Sequence, residues 1–372
     1  MKSQSISKVK LGGRPKVVKK SKGLPQILVD ISENIDQLIT IDIPLRGATD
    51  ILYRAAREKI SIPLTLAAAQ ALANNIKAKD IIFIATGWPD RPQVSLQIGE
   101  TDGPLGAAVL SRALHQAFNA VPFIFIEQQL VAAMAKVTQA AGFKVLTPAE
   151  AIKAVNSKAP IHAASVLSFP TDVNEAARTS SELIQKYKPS AVICIEKAGM
   201  NSQGYIHSIR GEEKTKYIAK IDLLVREANR SGIITIGIGD GGNEIGMGII
   251  REKIRPLLPF GNKCHCPCGE GIVSVTKTDF LVTATVSNWG AYGIVASLAI
   301  LLGSPEVFHN GEIECRVIQG CADAGLIDGI SGYVGESVDS LPKKIHIAIV
   351  DLLTEMIKKG LEMVDRVGRN DG

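Results

Sequence analysis

The run Gly232-Ile233-Ile234-Thr235-Ile236-Gly237-Ile238-Gly239-Asp240-Gly241-Gly242-Asn243-Glu244-Ile245-Gly246-Met247-Gly248 joins a β-branched segment to a glycine-rich turn. Ile233 to Ile238 carries almost no polar side chain, which suits a strand covered by helices on both faces of a parallel sheet. Runs of the same kind recur at Ile81 to Ala85, Pro122 to Ile126, Lys144 to Leu146, His162 to Leu167, Ala191 to Ile195, Phe280 to Val286 and Glu314 to Ile318. Amphipathic stretches separate them, at Leu64 to Ile76, Gly106 to Phe118, Ile126 to Ala141, Asn174 to Tyr187, Tyr217 to Asn229 and Ala291 to Leu302. A long helix is expected near Ile345 to Val364. This alternation predicts an α/β fold of three layers, a mostly parallel, doubly wound, Rossmann-like sheet with helices on both faces. No repeat or low-complexity linker follows residue 24, so residues 25–372 are read as one large α/β domain behind a basic, flexible tail at residues 1–24.

Composition narrows the function. The chain has 372 residues, 46% hydrophobic and 21% charged, and must fold. Its net charge of +5 is misleading, because Lys2, Lys8, Lys10, Arg14, Lys16, Lys19, Lys20 and Lys22 lie in a tail without acids. The remaining residues are mildly acidic, so no nucleic-acid partner is expected for the body. Phe280 to Pro305 is 26 residues without a charge, but the polar Ser287-Asn288-Trp289-Gly290 divides it, predicting a buried strand, a polar turn and a buried helix rather than a membrane span. Six cysteines and no apolar leader point to a reducing, cytoplasmic setting. An apolar, nearly neutral body leaves room for homo-oligomers.

In open parallel sheets, ligands bind beyond the carboxyl ends of the strands. Here those ends are polar and glycine-rich. Ile81 to Ala85 runs into Thr86-Gly87-Trp88-Pro89-Asp90-Arg91, and Gly99-Glu100-Thr101-Asp102-Gly103-Pro104 then opens a helix. Thr101 or Asp102 could cap that helix, but two carboxylates flanking the cap exceed what capping needs. Ala191 to Ile195 ends in Glu196-Lys197-Ala198-Gly199-Met200-Asn201, with Tyr205, His207 and Arg210 following. Glu196 and Lys197 read either as a surface ion pair or as functional groups.

Gly237, Gly239 and Gly242 satisfy the G-x-G-x-x-G dinucleotide pattern after a strand. Asp240 inside the turn would repel a pyrophosphate, Glu244 adds a second charge, and no ribose-binding acid follows at the usual distance. Neither nicotinamide nor flavin is expected. An ammonium group or a divalent cation fits Asp240 and Glu244 better. Cys264-His265-Cys266-Pro267-Cys268 offers three thiols and an imidazole, but zinc sites usually space their cysteines more widely. Ordinary thiols in a glycine-flanked loop are expected.

Three strings resemble the C-terminal domain of the D-glutamate cyclase family: Glu100 to Pro104, Gly239 to Gly248, and Thr278-Asp279 through Val286-Ser287-Asn288-Trp289-Gly290-Ala291-Tyr292. The likeness covers most of the chain after about residue 40. It implies a hydro-lyase that dehydrates D-glutamate to 5-oxo-D-proline. Chemistry then suggests roles. Asp240 or Glu244 would bind the substrate ammonium and take a proton, alone or with manganese or magnesium. Glu100 or Asp102 would be the acid, and Lys197 or Arg210 would anchor the α-carboxylate. Gly87, Asn201, Gly239, Gly241, Gly242, Asn243, Ser287 and Asn288 complete the expected substrate site. Two other readings stand beside this one: a different small-molecule or nucleotide-acting enzyme on the same fold, or a non-catalytic ligand- or metal-binding protein.

Overall fold

The strands are β1 (Ile81–Ala85), β2 (Val121–Ile126), β3 (Lys144–Val145), β4 (Ala163–Ser168), β5 (Ala191–Ile195), β6 (Ile234–Gly239) and β7 (Phe280–Thr283). They form one parallel sheet in the order β3-β4-β2-β1-β5-β6-β7. The computed structural model describes residues 26–159 and 161–370. The basic tail expected at residues 1–24 lies outside them.

Twelve α-helices accompany the sheet among the described residues: α1 (Gln26–Ile39), α2 (Ala48–Arg57), α3 (Leu64–Asn75), α4 (Pro104–Phe118), α5 (Val131–Ala140), α6 (Pro148–Val155), α7 (Val173–Tyr187), α8 (Ile221–Arg230), α9 (Arg251–Ile254), α10 (Ser287–Leu302), α11 (Gly311–Asp323) and α12 (Lys343–Asn370). The period-two alternation of strand side chains divides them into two layers. Ile82, Ile84, Ile124, Ile126, Ile193, Ile195, Ile236 and Ile238 point to a core shared with α1, α3, α4, α5, α10, α11 and α12. Phe83, Phe123, Phe125, Val192 and Cys194 point to a second core shared with α6, α7 and α8. The result is the three-layer α/β arrangement that the strand pattern predicts. Full burial of each such isoleucine or phenylalanine contributes about 1.5–3 kcal/mol.

Helix α10 explains the long charge-free run. It packs on β5, β6 and β7 between α3 and α4, while α1 and α12 cover its outer side. Every residue except Leu301 is buried. Its polar atoms are satisfied from within: Trp289 Nε1 meets His346 Nδ1 at 3.0 Å, and the Tyr292 hydroxyl donates to Glu314 at 2.9 Å. No helix among the described residues is long and apolar enough to cross a membrane.

Two expectations need correction. Glu314 to Ile318, read as a strand, lies inside α11. Its buried residues Glu314, Val317, Ile318 and Cys321 follow helical spacing once Glu314 is counted as buried, which its bonds to Tyr292 and His309 allow. Ser287 to Gly290, read as a polar turn, is the first turn of α10.

Candidate functional site

The chain runs outward from β1 to β2 on one side and from β5 to β7 on the other, so the order reverses between β1 and β5. Helices on either side of such a reversal leave a crevice beyond the strand ends. A cleft of about 280 Å³ opens there. The β1 end supplies Trp88, Asp90, Arg91, Glu100 and Asp102, the β5 end Glu196 and Arg210, and the β6 end Asp240 and Asn243. Arg46, from the loop before α2, and Asp339, from the turn before α12, close it.

The turn after β6 is built around Glu244. Its Oε1 accepts from the Asp240 and Gly241 N–H groups at 3.0 and 2.6 Å, and its Oε2 accepts from Gly242 at 2.7 Å. These are the backbone donors with which such a turn cradles a phosphate, and here the protein's own carboxylate holds them. Gly242 takes φ +98°, open to glycine at little cost. At Gly237 the need is close approach instead: an added Cβ would lie 2.4 Å from the Ile245 carbonyl oxygen. Glu244 thereby shapes the loop and leaves Asp240 to face the cleft.

Five carboxylates converge. Asp102, Asp240 and Asp339 each offer an oxygen within 4.8 Å of the others, and so do Glu196, Asp240 and Glu244. Asp240 belongs to both groups. The Arg46 guanidinium bridges it to Asp339, 3.2 Å from a carboxylate oxygen of each. Burial, followed by Glu196 and Asp339, pushes Asp240 well above the usual carboxylate range. Burial, followed by Glu244 and Asp102, does the same to Glu196. Glu100 is raised by burial and then by Asp339 and Asp90. Asp102 is pushed up to about 8 by burial and Asp339, against two backbone N–H groups that favour its ionised form.

A divalent cation suits this donor set, because hard cations take oxygen ligands and accept one or two carboxylates with water completing the shell. Glu244 has both oxygens engaged by its loop and Asp102 has both engaged by α10. Asp240, with Glu196 or Asp339, is the set better able to hold such an ion.

Asp102 and Asn288 lock two helix starts together. Asp102 accepts from the Ser287 and Asn288 N–H groups, both at 2.9 Å, capping α10. Asn288 Oδ1 accepts from Gly103 and Gly106 at 2.9 and 2.7 Å, capping α4. The capping anticipated at Asp102 therefore serves a helix distant in sequence. The Ser287 hydroxyl donates to Glu196.

Of the residues anticipated from sequence, Glu100, Asp102, Arg210, Asp240 and Asn243 line the cleft. Gly239, Gly241, Gly242 and Glu244 form the turn behind Asp240, and Ser287 and Asn288 support Glu196 and Asp102. Lys197 is elsewhere: wholly buried, it pairs with Glu127 and donates to the Gly87 carbonyl at 2.8 Å, so both Lys197 and Gly87 brace the scaffold. Asn201 holds a neighbouring loop through the Gly271 carbonyl at 2.9 Å. Arg46, Glu196, Asp339 and Lys214 enter without having been assigned a site role. Glu196 carried the one usable sequence signal, its place at a strand end.

The fold and the cleft define the class: a doubly wound α/β protein with an acid-rich crevice at its topological switch. Residues 35–354 match the D-glutamate cyclase-like, C-terminal family, and the chain belongs to it. It is similar to the human protein named D-glutamate cyclase, mitochondrial, at 27% identity over 355 residues, covering 87% of this chain and 51% of the human one. The chain thus spans about half the length of that relative.

Proposed function

We propose that this chain is a carbon–oxygen hydro-lyase of the D-glutamate cyclase type, converting D-glutamate to 5-oxo-D-proline and water. The observation that carries the reading is the meeting of Glu100, Asp102, Glu196, Asp240 and Asp339 with Arg210 and Lys214 around one small cleft, in a chain of this family. A zwitterionic diacid needs both signs of charge. Arg210 and Lys214 suit its carboxylates, and Asp240 with Glu196 suits its ammonium.

In the reaction the α-nitrogen bonds to the side-chain carboxyl carbon, a C–O bond breaks, and two nitrogen protons leave with that oxygen as water. Asp240, in its ionised form beside the Arg46 guanidinium, takes the first proton from nitrogen, its raised proton affinity making it the stronger base. Glu100, held protonated by burial and neighbouring acids, delivers one proton to the departing oxygen and regains one from nitrogen, while Asp240 passes its proton on to the same oxygen, which leaves as water. Asp102 is the second candidate for that step. A manganese or magnesium ion at Asp240 with Glu196 or Asp339, when bound, would polarise the side-chain carboxyl. A reducing, cytoplasmic setting is proposed from the six unpaired cysteines, although the human relative is named as mitochondrial.

The test is incubation of the full chain with D- and L-glutamate, with and without manganese or magnesium, followed by chromatography for 5-oxoproline. Product from the D-isomer alone is expected. No product under any of these conditions would reject the reading, and tight binding of ATP or NAD would replace it with a nucleotide-acting enzyme.

A further inference from the structure

The cysteine motif gains its missing member from a distant loop. His207 Nε2 lies 3.2 Å from Cys266 Sγ and 3.7 Å from Cys268 Sγ. The sulfurs of Cys264, Cys266 and Cys268 are 3.2–3.5 Å apart. All four donor atoms fall within 4.8 Å of one another. The adjacent His265 is not involved: its ring lies 4.6 Å from that of Phe260. The sequence alone offered the wrong imidazole.

We propose that His207, Cys264, Cys266 and Cys268 form a structural zinc site. Zinc held by three thiolates and one imidazole at ordinary bond lengths sets tetrahedral edges of about 3.8 Å between sulfurs and about 3.5 Å from sulfur to nitrogen. The observed edges lie close to these and define a volume for one ion. The sulfurs are too close together to bracket a multi-iron cluster. They are also well beyond the bonded S–S distance of about 2.05 Å. Binding exchanges three thiol protons for the metal, and the released protons go to solvent.

The surroundings are arranged for such a site. His207 is fully buried and Cys264 nearly so. Asn201 Nδ2 reaches Cys268 Sγ at 3.4 Å while also holding the Gly271 carbonyl. An N–H directed at sulfur favours the thiolate. The His265 N–H donates to the Gly211 carbonyl at 3.0 Å, tying the cysteine loop to the turn after His207. Four protein ligands leave no open position, which is the mark of a structural rather than a catalytic zinc.

The ion would also act on the cleft from a distance. His207 and Glu213 pair as an isolated bridge, and the turn between them carries Ser208, Ile209, Arg210 and Glu212 to the cleft wall. Asn243 Nδ2 donates to the His207 carbonyl at 2.9 Å, joining this root to the turn that bears Asp240. Zinc would therefore fix one wall of the cleft without touching substrate. This inference stands on its own ligands and is independent of the reaction proposed above.

The test uses the full chain, expressed with zinc supplementation and purified without chelator. Elemental analysis should find one equivalent of zinc, retained on dialysis. Cobalt replacement should give tetrahedral ligand-field bands and intense thiolate-to-cobalt charge transfer. Cys266→Ser should lower bound zinc to about a tenth or less of the wild-type level. Cys315→Ser, outside the cluster, should retain it. A wild-type protein without zinc, a cobalt spectrum without sulfur charge transfer, or a disulfide among these cysteines would each overturn the proposal, whatever becomes of the variants.

Discussion

Glu244 and Asp240 stand four residues apart in one turn and do different work. Glu244 is closed off by three N–H groups, whereas Asp240 faces the cleft under Arg46 and beside Glu196. Asp240→Asn should lower kcat/KM for D-glutamate by about two to four orders of magnitude, the range general-base loss produces. The thermal midpoint should stay near the wild-type value, with both quantities measured on the same preparation. Unchanged turnover would remove Asp240 from the mechanism. Asp240 was legible because an acid inside a glycine turn at a strand end is hard to explain structurally. Arg46 and Asp339 were not, since they come from loops before α2 and α12 and approach the site only through tertiary packing. Glu196 and Lys197 looked like a pair because they are adjacent. At the strand end they face opposite ways, one into the cleft and the other toward Glu127.

Several helices begin without a local cap and take one from another element. Pro63 precedes α3 and has no side-chain acceptor, so Asp36 of α1 accepts from Leu64 and Thr65 at 2.7 and 3.1 Å. Asp102 and Asn288 do the same reciprocally for α10 and α4. Asn288→Ala would strand the Gly103 and Gly106 N–H groups in a dry site, and should cost about 1–3 kcal/mol in urea unfolding. Loss of only a few tenths would mean that water replaces the amide. Asp36 makes a second prediction, in pH. Burial raises it from 3.8 to about 6. An acid with a higher pKa folded than unfolded holds its proton more tightly in the native state, so stability is greatest below the unfolded value and falls as pH rises to the folded one. The Asp36 contribution to that fall is about 2 kcal/mol between pH 4 and 6. In Asp36→Asn this component should vanish, and an identical pH slope in wild type and variant would contradict it. The same long-range pairing limits what sequence reveals about elements. Seven strands were legible because hydrophobic runs need no partner to be recognised. Helix α11 was not, because its stripe includes Glu314, whose burial depends on Tyr292 of α10 and on His309, which stands before α11 and outside its helical spacing.

At the scale of the whole molecule, the doubly wound topology gathers acids from both halves of the sheet into one crevice. The architecture was legible, but the electrostatic cost of that gathering appears only once the loops are in place. Burial raises Asp102 to about 8 and holds Glu100, Glu196 and Asp240 well above their usual range. By the same sign, all four favour the native state at low pH and lose that contribution as pH rises above the ordinary carboxylate range, Asp102 through about 8. A divalent cation competes with those protons and binds the ionised carboxylates. Manganese should therefore raise the unfolding midpoint more at pH 8 than at pH 5, with a gain of about 2.7 kcal/mol at a hundredfold excess over Kd. The increment should disappear in Asp240→Asn and be lost from the wild type when the ion is dialysed away. Differential scanning fluorimetry across both pH values measures it. A shift equal at both pH values, or one that persists in Asp240→Asn, would place the cation outside the acid cluster and leave Arg46 as its principal neutralising charge.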